Sequence, residues 1–542
     1  MQEELLQVAR PESEGVPSGA IIKLIGRLEK LRLPMHSLLV LRRGRLLSEN
    51  YWKPFHRGRK HRMYSVSKSW VSLAIGVMAD EGRISLDDAI AGFFPEYLPD
   101  NPHEYITRAT IRDMLRMTDC HDSTTYGFSD GNWIKTWFDT PPTHPAGTIF
   151  SYNTACTNIC CAIVEKLAGT SFIEYLYPRV LTPIGASEGI TCIRSPEGYS
   201  FGGSGVLCTP LDLARVAQLC MNGGVWGGKR LIGERYIREA TSRQVDNTLT
   251  NEDIVTQQGY GYQFWRTRDN GYAFYGMGSQ LAFCLPDLEL IVVTTGDTQG
   301  CKSDMHAIQE AIWQELLPAI KGSSIGGAND AGCYANNGGD GGGHCSNSGD
   351  GGDGGISGDS GGGRSSGNSD NCRALPEDPA AFEALARLSE TLALPVVPGA
   401  LSSPTAALVS GVTYRFAENP LNIKAAKFDF SADSAVMTYE KHNGVHRLAF
   451  GLGKLIEQPF PETHYSGARI GTPASRGYET QAGAAWADEN TLIAKASVTD
   501  DYFGSFNMNA TFIGDELTLL MTKYAEDFLH DYQGFAAGNR RI

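Results

Sequence analysis

Positive charge is in deficit: 47 Lys and Arg stand against 61 Asp and Glu, a formal net charge of −14 over 542 residues. No basic stripe runs along the chain, so nucleic acid is not expected as a partner. The local cluster Arg57-Gly-Arg-Lys-His-Arg62 reads as a solvated loop. Long apolar runs are missing too. None approaches the length of a membrane-spanning helix, and no membrane partner is expected. Met1-Gln-Glu-Glu-Leu-Leu-Gln-Val-Ala-Arg10 has neither the basic nor the apolar region of a signal peptide, which points to a cytoplasmic location. H-E-x-x-H and paired C-x-x-C are both absent, so neither a metal nor an organic cofactor is expected. The 12 cysteines are scattered, and Cys160-Cys161 sits in a helical pattern that suits disulfides poorly. They read as reduced thiols.

What the chain has is length enough for two or three domains, and a globular composition with 42% hydrophobic and 20% charged residues. One boundary is plain. Residues 322–372 are almost all Gly, Ser, Asp and Asn, as in Gly349-Asp-Gly-Gly-Asp-Gly-Gly355. Such a run cannot bury enough apolar surface to offset its ordering entropy, so it is expected to be a disordered linker. Its spacing is too irregular for a calcium-binding repeat, and His344-Cys345 within it has no companion ligands.

Residues 1–321 mix helical and strand patterns. Ser37–Leu41 and Leu46–Tyr51 flank a Gly-containing turn and predict a hairpin. Tyr272–Tyr275, Leu281–Leu285 and Leu288–Thr295 predict three successive strands. Amphipathic helices are predicted at Thr110–Met117, at Ala155–Leu167 with Gly169 as its C-cap, at Pro210–Cys220 capped by Thr209, and at Met305–Ile320. The predicted class is α/β (α+β), an antiparallel sheet with a helical cluster. Residues 373–542 begin with a short helix near Pro376–Leu394 and continue as short β patterns, which predict an all-β barrel-like domain. That tail carries no catalytic constellation and is expected to be separable from the chemistry.

The chemistry is expected at Ser65-Val-Ser-Lys68, at the front of the apolar run Trp70–Met78. On a helix, Ser65 and Lys68 share a face one turn apart, while Ser67 points away from it. Burial lowers a lysine pKa towards a base's working range, and a neutral amine can take the serine proton. A helix N-terminus also favours developing negative charge. A second candidate, Tyr152, precedes the Ala155–Leu167 helix. A third is Tyr275-Gly-Met-Gly-Ser279-Gln280, whose glycines allow close backbone approach and whose strand N–H can face an oxyanion. Trp265 is weighed as a cleft residue and placed in the core.

These ordered motifs resemble the serine β-lactamase and penicillin-recognising superfamily, on its class C-like branch. That branch includes D-aminopeptidases, carboxylesterases and 6-aminohexanoate-dimer hydrolases. The resemblance runs from about Pro11 to Lys321. It rests on Met63-Tyr-Ser-Val-Ser-Lys-Ser-Trp70, Ala79–Asp88, Gly147-Thr-Ile-Phe-Ser-Tyr152, Glu165–Gly169 and Gly202–Arg215. It implies a β-lactamase-like fold and an acyl-enzyme on Ser65, formed from a small ester, amide or short-peptide substrate. Lys68 and Tyr152 share the proton in a coupled titration. Backbone N–H groups of Ser65 and Ser279 hold the oxyanion, and Thr154, Gly278 and Gln280 line the substrate site. Two departures stand out. The family's Tyr-x-Asn is Tyr152-Asn153-Thr154 here, and its Lys/His-x-Gly is Gly276-Met277-Gly278. The second removes a cation that pairs with a substrate carboxylate, which disfavours β-lactamase and D,D-peptidase activity. The alternative from a different class is a non-catalytic binding module for peptides or acyl groups.

Overall fold

A computed structural model describes residues 6–127, 131–249, 256–301, 304–324, 374–462, 477–526 and 529–540. The expected linker lies outside these residues from 325 to 372.

The first region is built on a seven-stranded sheet. Its order is Gln7–Val8, Arg45–Tyr51, Met35–Arg42, Leu290–Gly296, Gln280–Leu285, Tyr272–Gly276 and Trp265–Arg266. All neighbours are antiparallel except the short first strand. The predicted hairpin closes through Arg43 and Gly44, both at positive φ (50° and 75°), the conformation a tight two-residue turn needs.

The central strands are apolar on both faces because both are covered. Leu39, Leu41, Ile291 and Val293 point into one core, while Leu38, Val40, Leu290 and Val292 point into the other. That alternation is the strand's two-residue period, and double burial explains the continuous apolar runs. Against the second face pack the Ser18–Lys30 helix and the C-terminal helical stretch from Asp304, whose course includes a wide turn at Ile312–Leu316. Pro318 follows that turn; it has no N–H to give the ladder and crowds the carbonyl four residues back. The helix after the glycine-rich run, Pro379–Thr391, packs on this same layer through Leu385 and Leu392, and Ser389 donates to Asn50.

The helix Val66–Asp80 enters against the first face, with every residue from Val66 to Met78 buried. Its serines stay satisfied in that apolar setting. Ser67 Oγ accepts from the Val206 N–H at 3.0 Å, Ser69 donates to the Gln263 carbonyl at 2.6 Å, and Ser72 pairs with the Tyr236 hydroxyl at 2.9 Å. Gly76 lets the Tyr236 ring approach so closely that a Cβ would lie 2.5 Å from it.

The second region is a closed barrel of nine strands. Antiparallel pairing runs from Gly444–Leu452 back through Ser434–Lys441, Ala425–Phe430 and Thr413–Phe416, then through Gly534–Asn539, Glu516–Tyr524, Gly504–Ile513 and Thr491–Val498 to Glu479–Trp486. Gly451 and Leu452 close the ring by pairing in parallel with Gly483 and Ala484. Inward residues alternate along each strand, as at Leu492, Ala494, Ala496 and Val498.

The barrel docks on the first region close to Ser65, whereas the sequence led to the expectation of a separable tail. Asp501 accepts a hydrogen bond from the Arg62 N–H at 3.0 Å, Glu526 forms an ion pair with Arg62, and Arg59 pairs with Glu479. Phe503 packs on His36, His61 and Tyr64. A flexible connection fixes no geometry, but docking does, and the contacts on Arg62 and Tyr64 lie three and one residues before Ser65. No helix among the described residues is long and apolar enough to cross a membrane.

Candidate active site

Ser65 sits at the N-cap of the buried helix and has αR dihedrals (φ −67°, ψ −9°), with no capping bond from its side chain. The residue before it, Tyr64, is at φ 46°, a conformation that costs a tyrosine energy and that recurs at functional sites. One turn on, Lys68 Nζ lies 3.2 Å from Ser65 Oγ and donates to the Gly203 carbonyl at 2.6 Å. Lys68 is 1% exposed. Burial brings its pKa down to about 7, against the opposing pull of Glu526. A neutral amine beside a serine hydroxyl is the chemistry of an activated nucleophile.

Tyr152 arrives from the loop before the Thr154–Ala168 helix. Its ring lies 5.1 Å from Lys68 Nζ, and its hydroxyl is near enough to the Ser65 and Trp265 side chains for both to act on its pKa. Desolvation raises that pKa to about 12, opposed by Ser65 and Trp265. The ring is braced at 5.3 Å by Trp265, which in turn meets Tyr260 edge-on at 5.0 Å. The loop is pinned from below by Asn153. Its side chain caps the helix through the Ala155 N–H at 2.9 Å and donates to Asp119 at 3.0 Å. Asp119 also accepts from the Trp137 indole at 2.9 Å, and burial raises its pKa to about 6 against these bonds.

Thr154 is the first residue of that helix. Its methyl stands so close to Gly203 that a Cβ there would lie 2.3 Å away. Its backbone N–H bonds to Thr124 Oγ1 at 3.1 Å.

Gly278 and Ser279 form the turn between the strands Tyr272–Gly276 and Gln280–Leu285, both at positive φ (76° and 77°). Gly276 lies against the Met63 carbonyl, where a Cβ would come within 2.4 Å. The end of the strand is thereby brought beside the segment that leads into Ser65. Ser279 is fully buried; its hydroxyl pairs with Thr298 at 2.6 Å and its carbonyl accepts from Thr294 at 3.0 Å. Gln280 is equally buried, and its amide donates to the carbonyls of Gly296 at 2.7 Å and Met277 at 3.1 Å. It acts on the turn from beneath rather than presenting a surface to the cleft. Ser65, Lys68 and Tyr152 thus converge, Thr154 stands at Gly203, and Gly278, Ser279 and Gln280 make the opposite turn. Ser67 faces away, towards Val206.

Several contributors carry no side-chain signature. Gly203 supplies a carbonyl, and its N–H donates to Asn158 Oδ1 at 3.0 Å. Asn158 in turn donates to the Tyr126 hydroxyl at 2.9 Å. The visible signal was the glycine run Gly202-Gly-Ser-Gly205. At Gly202 a Cβ would lie 2.6 Å from Cys161, so the run presses backbone against two helices. Trp265, placed in the core from sequence, stands at the Tyr152 hydroxyl. Among the described residues, no group of three His, Cys, Asp or Glu side chains could hold a metal ion.

Three comparisons place this geometry among known proteins. The family model described as Beta-lactamase matches residues 22–314. A 6-aminohexanoate-dimer hydrolase from Paenarthrobacter ureafaciens is 27% identical over 262 residues, covering 45% of this chain and 67% of its own. Among solved structures, a family VIII carboxylesterase aligns over 58% of this chain and 100% of its own, at 15% identity and a TM-score of 0.46. An octameric penicillin-binding protein homologue from Pyrococcus abyssi aligns over 96% of this chain and 99% of its own, at 12% identity and a TM-score of 0.43.

Proposed function

Because the chain belongs to the β-lactamase family of hydrolases, we propose that it cleaves an ester or amide bond of a small substrate through an acyl-enzyme on Ser65. The observation that carries this reading is Lys68, buried and with a pKa near 7, at 3.2 Å from Ser65 Oγ. Tyr152 supports it: its ring lies 5.1 Å from Lys68 Nζ, and Ser65 is close enough to act on the pKa of its hydroxyl.

In the acylation step Ser65 Oγ bonds to the substrate carbonyl carbon, and its proton passes to the Lys68–Tyr152 pair. The oxyanion is held by the N–H groups of Ser65 and Ser279. The bond to the leaving group then breaks, and the leaving amine or alkoxide takes the proton, delivered by Tyr152. Water attacks the acyl-enzyme with the same pair as base, and Ser65 regains its proton as the acid product departs. Tyr152, with its pKa raised to about 12, serves as a proton relay rather than as a resident phenolate.

The relative's name, 6-aminohexanoate-dimer hydrolase, supports short linear amides as one substrate class. Gly276 stands where the resembling penicillin-binding members have a cation, so β-lactams are poor candidates. The test is hydrolysis of an activated short-chain ester together with fluorophosphonate labelling, in wild type and Ser65→Ala. The substitution is expected to lower activity by at least about a thousandfold and to abolish labelling. A folded wild type that neither hydrolyses nor labels would replace this reading with a binding module.

A further inference from the structure

The barrel brings Phe503 and Glu526 to the region around Ser65, and the proposed mechanism uses neither. Phe503 is fully buried. Its ring stands 5.5 Å from that of Tyr64, and a Cβ on Gly278 would lie 3.2 Å from its Cε2. One side chain thus touches both the residue before the nucleophile and the turn that carries Ser279. Two further barrel residues, Lys495 and Ser505, lie near enough to Asp297 to act on its pKa, and the neighbour of Asp297, Thr298, bonds the Ser279 hydroxyl.

The second contact is electrostatic. Arg62 is 3% exposed and donates to the Ser204 carbonyl at 3.1 Å and the Ser204 hydroxyl at 3.0 Å. Lys68 donates to the adjacent carbonyl, that of Gly203. Two cationic side chains therefore hang on neighbouring peptide units. The ion-pair partner of Arg62 is Glu526, from the barrel.

We infer that the barrel is a positioning part of the active site: Phe503 backs the Gly278–Ser279 turn, and Glu526 neutralises Arg62 beside Lys68. This rests on the serine-hydrolase reading. Neither residue reacts. Phe503 fixes where the Ser279 N–H points, and a catalytic donor displaced by an ångström loses most of its effect. Glu526 sets the charge felt by the base. The groups facing Lys68 are Ser65 on its own helix, Tyr152 and Cys156 from the next helix and its loop, Arg62 from the preceding strand, and Glu526 from the barrel. Of these only Glu526 is a carboxylate. It favours the ammonium form, whereas Arg62 disfavours it. Removing the Glu526 charge therefore favours the neutral amine and lets the base work at lower pH.

The experiment uses the full-length chain, with rates normalised to the fraction that takes a fluorophosphonate label. Glu526→Gln is expected to move the acidic limb of kcat/KM to lower pH by roughly half a unit or more, whereas Glu526→Asp keeps it in place. Phe503→Ala is expected to lower kcat by about 10- to 100-fold with little change in KM, and Phe503→Leu to recover most of the loss. Limbs that coincide in wild type and Glu526→Gln, or a Phe503→Ala enzyme with wild-type kcat, would overturn the inference. A wild type without Ser65-dependent turnover would remove the hydrolase reading and this inference together, which is distinct from an active wild type indifferent to its barrel.

Discussion

Among the described residues each half of the molecule buries one lysine, and the two are held in opposite ways. Lys441, in the barrel, is 2% exposed and lies 3.0 Å from Glu462 and 3.5 Å from Asp531. The hydroxyls of Tyr439 and Tyr532 and the side-chain amide of Asn443 also donate to Glu462. Lys68 is as deeply buried, but makes no ion pair among the described residues. Its partners are a serine hydroxyl and a peptide carbonyl. The barrel's lysine is compensated as a charge, so its role is structural. The hydrolase's lysine is left with neutral partners, and its pKa sits near 7. A buried amine becomes a usable base when no carboxylate pairs with it; here Glu526, the carboxylate that acts on Lys68, is engaged by Arg62.

The sharpest break of this comparison is a matched pair of substitutions. Lys68→Met should lower kcat/KM by about 10²–10⁴-fold, because a general base has gone. Its thermal midpoint should not fall, because no buried counter-charge is left behind. Lys441→Met should do the reverse. It strands the Glu462 carboxylate and should cost about 3–5 kcal/mol in denaturant melts, while the folded fraction keeps its specific activity. Equal loss of activity in both variants would erase the distinction.

A smaller effect follows from linkage. The Lys68 pKa is lowered from 10.5 unfolded to about 7 folded. Between those values the unfolded chain binds more protons, so stability rises with pH, and below pH 7 the full penalty applies. Lys68→Met removes that penalty. Its melting temperature relative to wild type should therefore be higher at pH 6 than at pH 9. An unchanged difference across that range would show that Lys68 is not held neutral by burial.

The features that set up this contrast were unevenly legible. The nucleophile helix declared itself because Trp70–Met78 is apolar all round, and the strands from Tyr272 to Gly296 because runs buried on both faces are continuously hydrophobic. The caps at Thr209 and Gly169 were readable from local chemistry. Barrel strands such as Glu479–Trp486 and Gly534–Asn539 were hidden, since Ala and Gly fill positions where close strand approach forbids larger side chains. The Gly203 carbonyl has no side chain to reveal it. The approach of Phe503 and Glu526 to residues 62–64 joins positions more than 400 apart, and no local pattern encodes it.

The smallest expected effect concerns a cation that the third motif does not supply. With Gly276 in place of Lys or His, a β-lactam carboxylate loses a charge-assisted bond of about 1.5–3 kcal/mol. Nitrocefin turnover should accordingly fall well below that of a short-chain ester. Comparable rates would mean that another cation of the cleft takes the carboxylate.

The central claim, that Ser65 carries the acyl group with Lys68 as its base, is tested most directly by rapid-quench peptide mass spectrometry during turnover of an activated ester. The account predicts one acyl adduct, on the peptide bearing Ser65, absent from Ser65→Ala and accumulating far more slowly in Lys68→Met. An adduct on Ser67 or another residue, or full-rate formation without Lys68, would contradict it.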